Sequence, residues 1–415
     1  MSRAAPEPGQ RDLAFNVGVH TVDAAFFGLA LGLASFSGYT RSALVLGSLG
    51  SLHLLGWHLP QLATARRVAG LSRYMPMVLA MTTLERLPFI ALAWLAWKAG
   101  RPPALGAGPT TALVLGLVLL IGIGGGLTAT PFQAMVGHVI PARRRTLFYG
   151  LKAAAANLLI AGGAELAGRY LEAGAAPERF AICFLGAALA TAVSWGFLAL
   201  TREGEGAPRQ DRTAAPSLSL RQASRGILTQ DHRFRWYLIT RSLAQLGHMA
   251  SAFYTIYAIQ RFAAGPLLVA RLAAAFALSQ TLANPLLGWA ADHYGFHGPK
   301  RLGLGAAAVG ALIAAAAPRP EWLYASMSLA GIAVVAIFTF PLAMNLQFGD
   351  QASRPVYIGL SSSLTAPAII GAPLLGGWLA DAVGYRPSFL LAATGAVAAA
   401  VALERMRRQP LSPQA

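Results

Sequence analysis

Runs of about twenty apolar residues recur from one end of this chain to the other, and they leave few folds open to it. A helix of about 20 apolar residues covers the ~30 Å hydrocarbon core of a bilayer. Inside hydrocarbon every backbone N–H and C=O must be paired within the protein, which admits only helices and closed barrels. The runs read as helices at 13–37, 42–64, 74–98, 110–138, 147–170, 179–200, 236–260, 267–291, 301–317, 321–348, 356–380 and 386–404. Breakers such as Ala176-Pro177 and Pro318-Arg319-Pro320 fall between them. Only 12% of residues are charged and 55% are hydrophobic. A soluble domain carries about 25% charged residues. The expectation is an all-α membrane protein of twelve transmembrane helices, embedded in a lipid bilayer.

The formal net charge of +17 would suggest nucleic acid in a soluble protein. Here the basic residues sit in the gaps between apolar runs, where membrane topology places them, so no nucleic-acid partner is expected. Of the 33 Lys and Arg, 21 fall on one side and 8 on the other when both termini are set in the cytoplasm. That split favours cytoplasmic termini and an even number of spans. Arginine far outnumbers lysine and alanine is abundant. This is the composition of GC-rich bacterial coding, so the expected location is the cytoplasmic (inner) membrane, as a multi-pass protein.

The longest polar stretch, 201–235, divides the spans six and six. The expected organisation is a cytoplasmic segment at 1–12, a six-helix bundle at 13–200, a cytoplasmic linker at 201–235, a second bundle at 236–404 and a cytoplasmic tail at 405–415. Within the linker, Leu218 to Leu228 has the pattern of a short amphipathic helix at the membrane surface. The two halves also resemble each other. At an offset of 209, Tyr149-Gly150-Leu151 meets Ile358-Gly359-Leu360, Gly162 meets Gly371, Gly168 meets Gly377, Glu172 meets Asp381 and Phe180 meets Phe389. No gap is needed across this stretch. Such parallel repeats make two pseudo-symmetric six-helix bundles, and transporters built this way place substrate between the halves.

Several chemistries are excluded. The single cysteine, Cys183, rules out a disulfide framework. There is no Gly-rich phosphate loop ending in Lys-Ser/Thr, no His/Cys/Asp cluster with metal-ligand spacing and no Gly-x-Ser-x-Gly. No cofactor, metal or catalytic residue is expected, and the chain does not read as an enzyme.

Polar side chains at membrane depth are costly and usually mark function. Asn16, His20 and Asp23 fall at i, i+4 and i+7 on one face of the first span. Arg241, Gln245 and His248 repeat that spacing in the seventh, the equivalent position of the repeat. Two such stripes can face a central pathway. Asp23 lies near mid-depth and can carry a coupling proton or hold a cationic substrate; the competing reading is a structural hydrogen bond between helices. Arg241, near a helix end, can equally snorkel. Glu85 and Arg86 are adjacent on the third span, about 100° apart, and so cannot face one spot; a structural ion pair with other helices is favoured.

After the eighth span the chain reads Gly288-Trp289-Ala290-Ala291-Asp292-His293-Tyr294-Gly295, then Lys300-Arg301. Together with the span count and the 6+6 division, this resembles the major facilitator superfamily over about residues 13 to 406. The loop is similar to the family's Gly-x-x-x-Asp-x-x-Gly-basic motif, with Phe296 to Pro299 inserted before the basic pair. The equivalent loop at Leu62 to Arg73 lacks an Asp. Such a loop suits a cytoplasmic gate of Gly288, Asp292, Gly295 and Arg301, because Asp292 can act on a neighbouring helix N-terminus or pair with a basic residue. Pseudo-symmetry suggests the start of the fifth span near Thr146 and Arg354 as its partners; the competing reading is an ordinary loop carboxylate. The resemblance implies that the first, fourth, seventh and tenth spans line a cavity, which adds Gln133, Tyr254, Tyr257 and Asn345 as lining residues. The family's Gly-Pro antiport run in the fifth span and its fourth-span arginine are missing. The function implied is a secondary or facilitative carrier of a small-molecule substrate by alternating access, acting as a monomer, with proton-coupled export of an amphipathic compound preferred. The alternatives are uptake of a polar metabolite or, from another class, a membrane-embedded enzyme or lipid-handling protein.

Overall fold

The structure is a computed structural model, and it describes residues 10–34, 52–99, 101, 106–172, 176–204, 220–264, 266–350 and 353–410. These residues are helical nearly throughout. The helices are α1 (Gln10–Leu33), α2 (52–58), α3 (Gln61–Ala69), α4 (Met75–Ala99), α5 (Ala107–Val139), α6 (Arg145–Glu172), α7 (Pro177–Ala199), α8 (Leu220–Gln230), α9 (His232–His248) and α10 (Tyr254–Phe262). They continue as α11 (Pro266–Tyr294), α12 (His297–Ala316), α13 (Trp322–Val334), α14 (Phe340–Met344), α15 (Arg354–Ala382) and α16 (Tyr385–Arg407). Among the described residues, 8 helices are long and apolar enough to cross a membrane. Many of their large apolar side chains point outward, among them Leu158, Leu189, Leu374 and Trp378. That surface suits lipid, which asks for no polar exterior.

The chain divides into two compact units. The first comprises Met1–Pro141 with Ala155–Ala215, the second Ala142–Ala154 with Pro216–Ala415. In the first unit α1 packs on α7, and α4 packs on both α5 and α7. Its core includes Phe89, Leu92, Val118, Ile121, Phe180 and Phe184. The Gly124-Gly125-Gly126 run lets α5 come close to α4. A Cβ on Gly124 would lie 2.5 Å from the backbone nitrogen of Glu85, and small residues are what allow membrane helices this approach. In the second unit α16 packs on α9 and α12, while α13 packs on α11 and α12. Its core gathers Tyr254, Leu272, Leu323, Phe389 and Ala392.

Two of the expected spans are interrupted. The run at 236–260 breaks at a 3-10 turn, Met249–Ala252, where Ser251 Oγ donates to His248 O at 2.8 Å and competes with the helical ladder. The run at 321–348 carries a π turn at Val335–Thr339. Pro341, just beyond it, has no N–H to give the carbonyl four residues back, which is where ladders slip. Part of the second expected span, 42–51, and residues 205–219 of the linker lie outside the described residues. So do residues 1–9 and the tail beyond 410. Residues 220–235 of the linker form α8 and the first turn of α9, capped by Asp231, which accepts from Phe234 N at 2.8 Å. The helices paired by the sequence repeat match in length: α6 has 28 residues and α15 has 29, while α7 and α16 have 23 each.

Candidate functional site

Among the described residues, each unit holds a buried cluster of charged and polar side chains. In the first unit it forms where α1, α4 and α7 meet. Asp23 and Arg86 are 6% and 8% exposed. Ser194 Oγ donates to Asp23 Oδ1 at 2.7 Å. Arg86 Nη2 donates to Ser194 Oγ at 2.8 Å and pairs with Asp23 Oδ1 at 3.4 Å. The guanidinium also lies over the Phe27 ring, 5.7 Å from its centroid. Arg86 Nε and Nη1 are buried and have no hydrogen-bond partner. Glu85, equally buried, sets a carboxylate oxygen near Gly125 of α5 and stays within electrostatic range of both Arg86 and Asp23. The 100° step of a helix thus sends two adjacent charges to different neighbours. Any cation attracted to Asp23 would have to displace a guanidinium already there.

The other two members of the α1 stripe do different work. Asn16 is fully buried and spent on one backbone residue. Its Oδ1 accepts from Arg202 N at 2.9 Å and its Nδ2 donates to Arg202 O at 3.0 Å. His20 lies 3.3 Å from Thr201 Oγ1 and edge-on to Phe132 of α5. Both therefore fasten the chain leaving α7. Gln133 is buried on α5, near Thr130, whose hydroxyl donates to Gln61 O at 3.0 Å.

In the second unit Arg241 is 9% exposed and does not snorkel. Its Nη1 donates to Ser361 Oγ at 2.7 Å. Ser361 Oγ in turn donates to Asn345 Oδ1 at 2.7 Å, and Tyr237 Oη donates to the same oxygen at 2.7 Å. Lys300, 1% exposed, places Nζ 3.3 Å from Met344 Sδ and 5.3 Å from the Tyr237 ring centroid. Arg241 approaches that ring too, at 5.8 Å. Gln245 is buried without joining this network, and half-buried His248 sits edge-on to Phe338. Tyr254 and Tyr257 pack against Phe389 in an aromatic core, away from the polar cluster.

Asp292 ends α11 by capping another helix. Its two carboxylate oxygens accept from Thr146 N at 3.0 Å and Leu147 N at 2.7 Å, the free amides of the first turn of α6. Gly288 makes the approach possible, because a Cβ there would lie 2.8 Å from Thr146 O. Gly295, at φ 80°, turns the chain toward α12. Arg354 makes no ion pair with Asp292; it lies within electrostatic range of Arg145 instead. Arg301 is exposed. The first unit repeats the capping device with a residue that sequence reasoning left in the linker: Glu203 accepts from Tyr74 N at 2.7 Å and Met75 N at 2.8 Å, at the head of α4. Ser194, Tyr237, Lys300 and Ser361 were also missed as site residues. A lone hydroxyl in an apolar helix gives no pattern to find, and Lys300 looked like half of a loop motif.

Among known proteins, residues 243–415 match the family model of the Major Facilitator Superfamily. The fold matches that of FucP, a Major Facilitator Superfamily transporter, with a TM-score of 0.69 at 15% identity, over 96% of this chain and 100% of that one. The chain has the major facilitator fold. It is thereby a multi-pass membrane protein. A bacterial homologue of the iron transporter ferroportin superposes with a TM-score of 0.73 at 12% identity, covering 96% of this chain and 100% of that one. In sequence, 100 residues are 35% identical to the efflux pump aflT of Aspergillus parasiticus. That match takes in 24% of this chain and spans about a fifth (20%) of the relative's length.

Proposed function

We propose that this facilitator-fold chain is a carrier of a small solute, working by alternating access between two six-helix halves of a twelve-span protein. The observation that carries the reading is the Asp23–Arg86–Ser194 cluster. A buried ion pair adds little net stability over an apolar replacement, and charge inside membrane helices is retained for function. Asp23 is the group through which a proton couples to the solute. Its carboxylate accepts from the Ser194 hydroxyl and faces Arg86 at a longer distance, and a proton bound there would weaken that pairing. Gly288, Asp292 and Gly295 act as a latch on the cytoplasmic side, with both termini on that side of the cell membrane and the chain working as a monomer. Export of an amphipathic compound is the preferred direction, supported by the short match to an efflux pump.

Reconstitution in liposomes with an imposed proton gradient and a panel of solutes tests the carrier reading. Gradient-driven movement of at least one solute is expected, and none across the panel sinks it. For Asp23, rates are measured in Asp23→Asn across pH. Wild-type rates with wild-type pH dependence remove its coupling role. For the latch, Asp292→Asn should change the labelling of cytoplasmic-side cysteine probes; unchanged labelling and unchanged transport remove it. Binding of a fluorescent lipophilic cation, displaced by unlabelled compounds, supports export, and its absence counts against that direction.

A further inference from the structure

We propose that Arg241 and Lys300 form a built site for an oxyanion, a carboxylate or phosphate group. The argument starts from charge balance. Both side chains are buried, Lys300 almost completely. Neither makes an ion pair among the described residues. Arg241 spends one nitrogen on the Ser361 hydroxyl and leaves Nε buried without a partner. Lys300 reaches only a thioether sulfur and an aromatic face. A buried charge without a counter-ion is strongly destabilising. Two such cations against one tyrosine ring call for a negative group that binds there.

The surroundings suit that group. Tyr237 and Ser361 present hydroxyls whose protons rotate, so each can turn from Asn345 Oδ1 to donate to a bound anion. Arg241 keeps Nε free for it. Met344, which covers Lys300, is unbranched and adaptable and can swing aside. A guanidinium with an ammonium and hydroxyl donors is the chemistry that recognises an oxyanion. If the chain is a carrier, the solute it takes therefore bears a carboxylate or a phosphate; that part of the inference rests on the proposed function, whereas binding itself does not.

The test uses the purified full chain in phosphatidylcholine nanodiscs and follows its thermal unfolding midpoint. Inorganic phosphate and benzoate are titrated separately, against sodium chloride at matched ionic strength. A saturable rise with at least one of the two oxyanions, and none with chloride, is expected. Arg241→Gln and Lys300→Met should each weaken the response about tenfold or more, the scale of a lost charged contact, and Lys300→Arg should keep it. A flat wild-type titration, a rise equal to that with chloride, or wild-type affinity in Lys300→Met overturns the proposal. The wild-type titration decides even if a variant fails to fold. Nanodiscs containing phosphatidylglycerol separate the two sources. If they raise the midpoint and abolish the phosphate response, the site holds a lipid headgroup; if the response persists, it takes a soluble anion. Because no gradient is applied, intact binding with failed transport removes only the carrier reading. Intact transport with failed binding removes only this one.

Discussion

The first unit closes its buried guanidinium with a carboxylate, while the second buries two cations and closes them with neutral groups. Arg86 has Asp23 beside it and Glu85 next in sequence. Arg241 and Lys300 have a serine, a methionine and a tyrosine ring. The same fold type therefore holds two clusters of opposite need. One carries its counter-charge, and the other has none among the described residues. Removing a cation should do opposite things to them, and the sign of the change is the sharpest test of the difference.

The largest effect expected is that of Arg86→Gln. It removes the guanidinium that pairs with Asp23, a carboxylate only 6% exposed, a loss of about 3–5 kcal/mol. Pairing it with Asp23→Asn should recover most of that loss, since both charges then leave together. Lys300→Met in anion-free buffer should instead leave stability unchanged or raise it, because an uncompensated charge becomes an apolar chain of similar length. Equilibrium unfolding in mixed micelles reads both. If the two variants lose stability alike, the clusters are not different in kind.

The two capping carboxylates come next. Glu203 is 6% exposed and Asp292 half-buried, though each takes two backbone N–H groups at a helix head. Glu203→Ala should cost about 2 kcal/mol and Asp292→Ala about 1 kcal/mol, the range of a lost helix cap. The reverse order would mean that the bond to α6 is the stronger one in the membrane and would raise the standing of Asp292 as a latch.

Much of this was legible in the sequence, and the limits have physical causes. Helix positions followed from apolar runs because hydrocarbon leaves the backbone no choice. The divergence of Glu85 and Arg86 followed from helix geometry alone. The stripe Asn16, His20 and Asp23 was readable as one face, but a face says nothing about what stands opposite. Asn16 meets the backbone of Arg202, 186 residues away in sequence, while Asp23 meets the guanidinium of Arg86. Lys300 and Glu203 were misjudged for the same reason. Both lie at the edge of an apolar run, where sequence reads loop, yet both are carried inward by neighbours from distant helices.

The smallest effect expected is at Arg301, and it sharpens the comparison most cheaply. Arg301 follows Lys300 directly on α12, so the helix turns it about 100° away, and it is exposed where Lys300 is buried. Arg301→Gln should change stability by no more than about 0.5 kcal/mol, as surface substitutions do. It should also leave the phosphate and benzoate titrations as in the wild type. The two residues carry the same charge one position apart, so they share the long-range field and differ only in surroundings. If Arg301→Gln weakens the anion response as much as Lys300→Met does, the response comes from general positive charge and not from a site. If only Lys300→Met weakens it, the buried pair itself is what the anion meets.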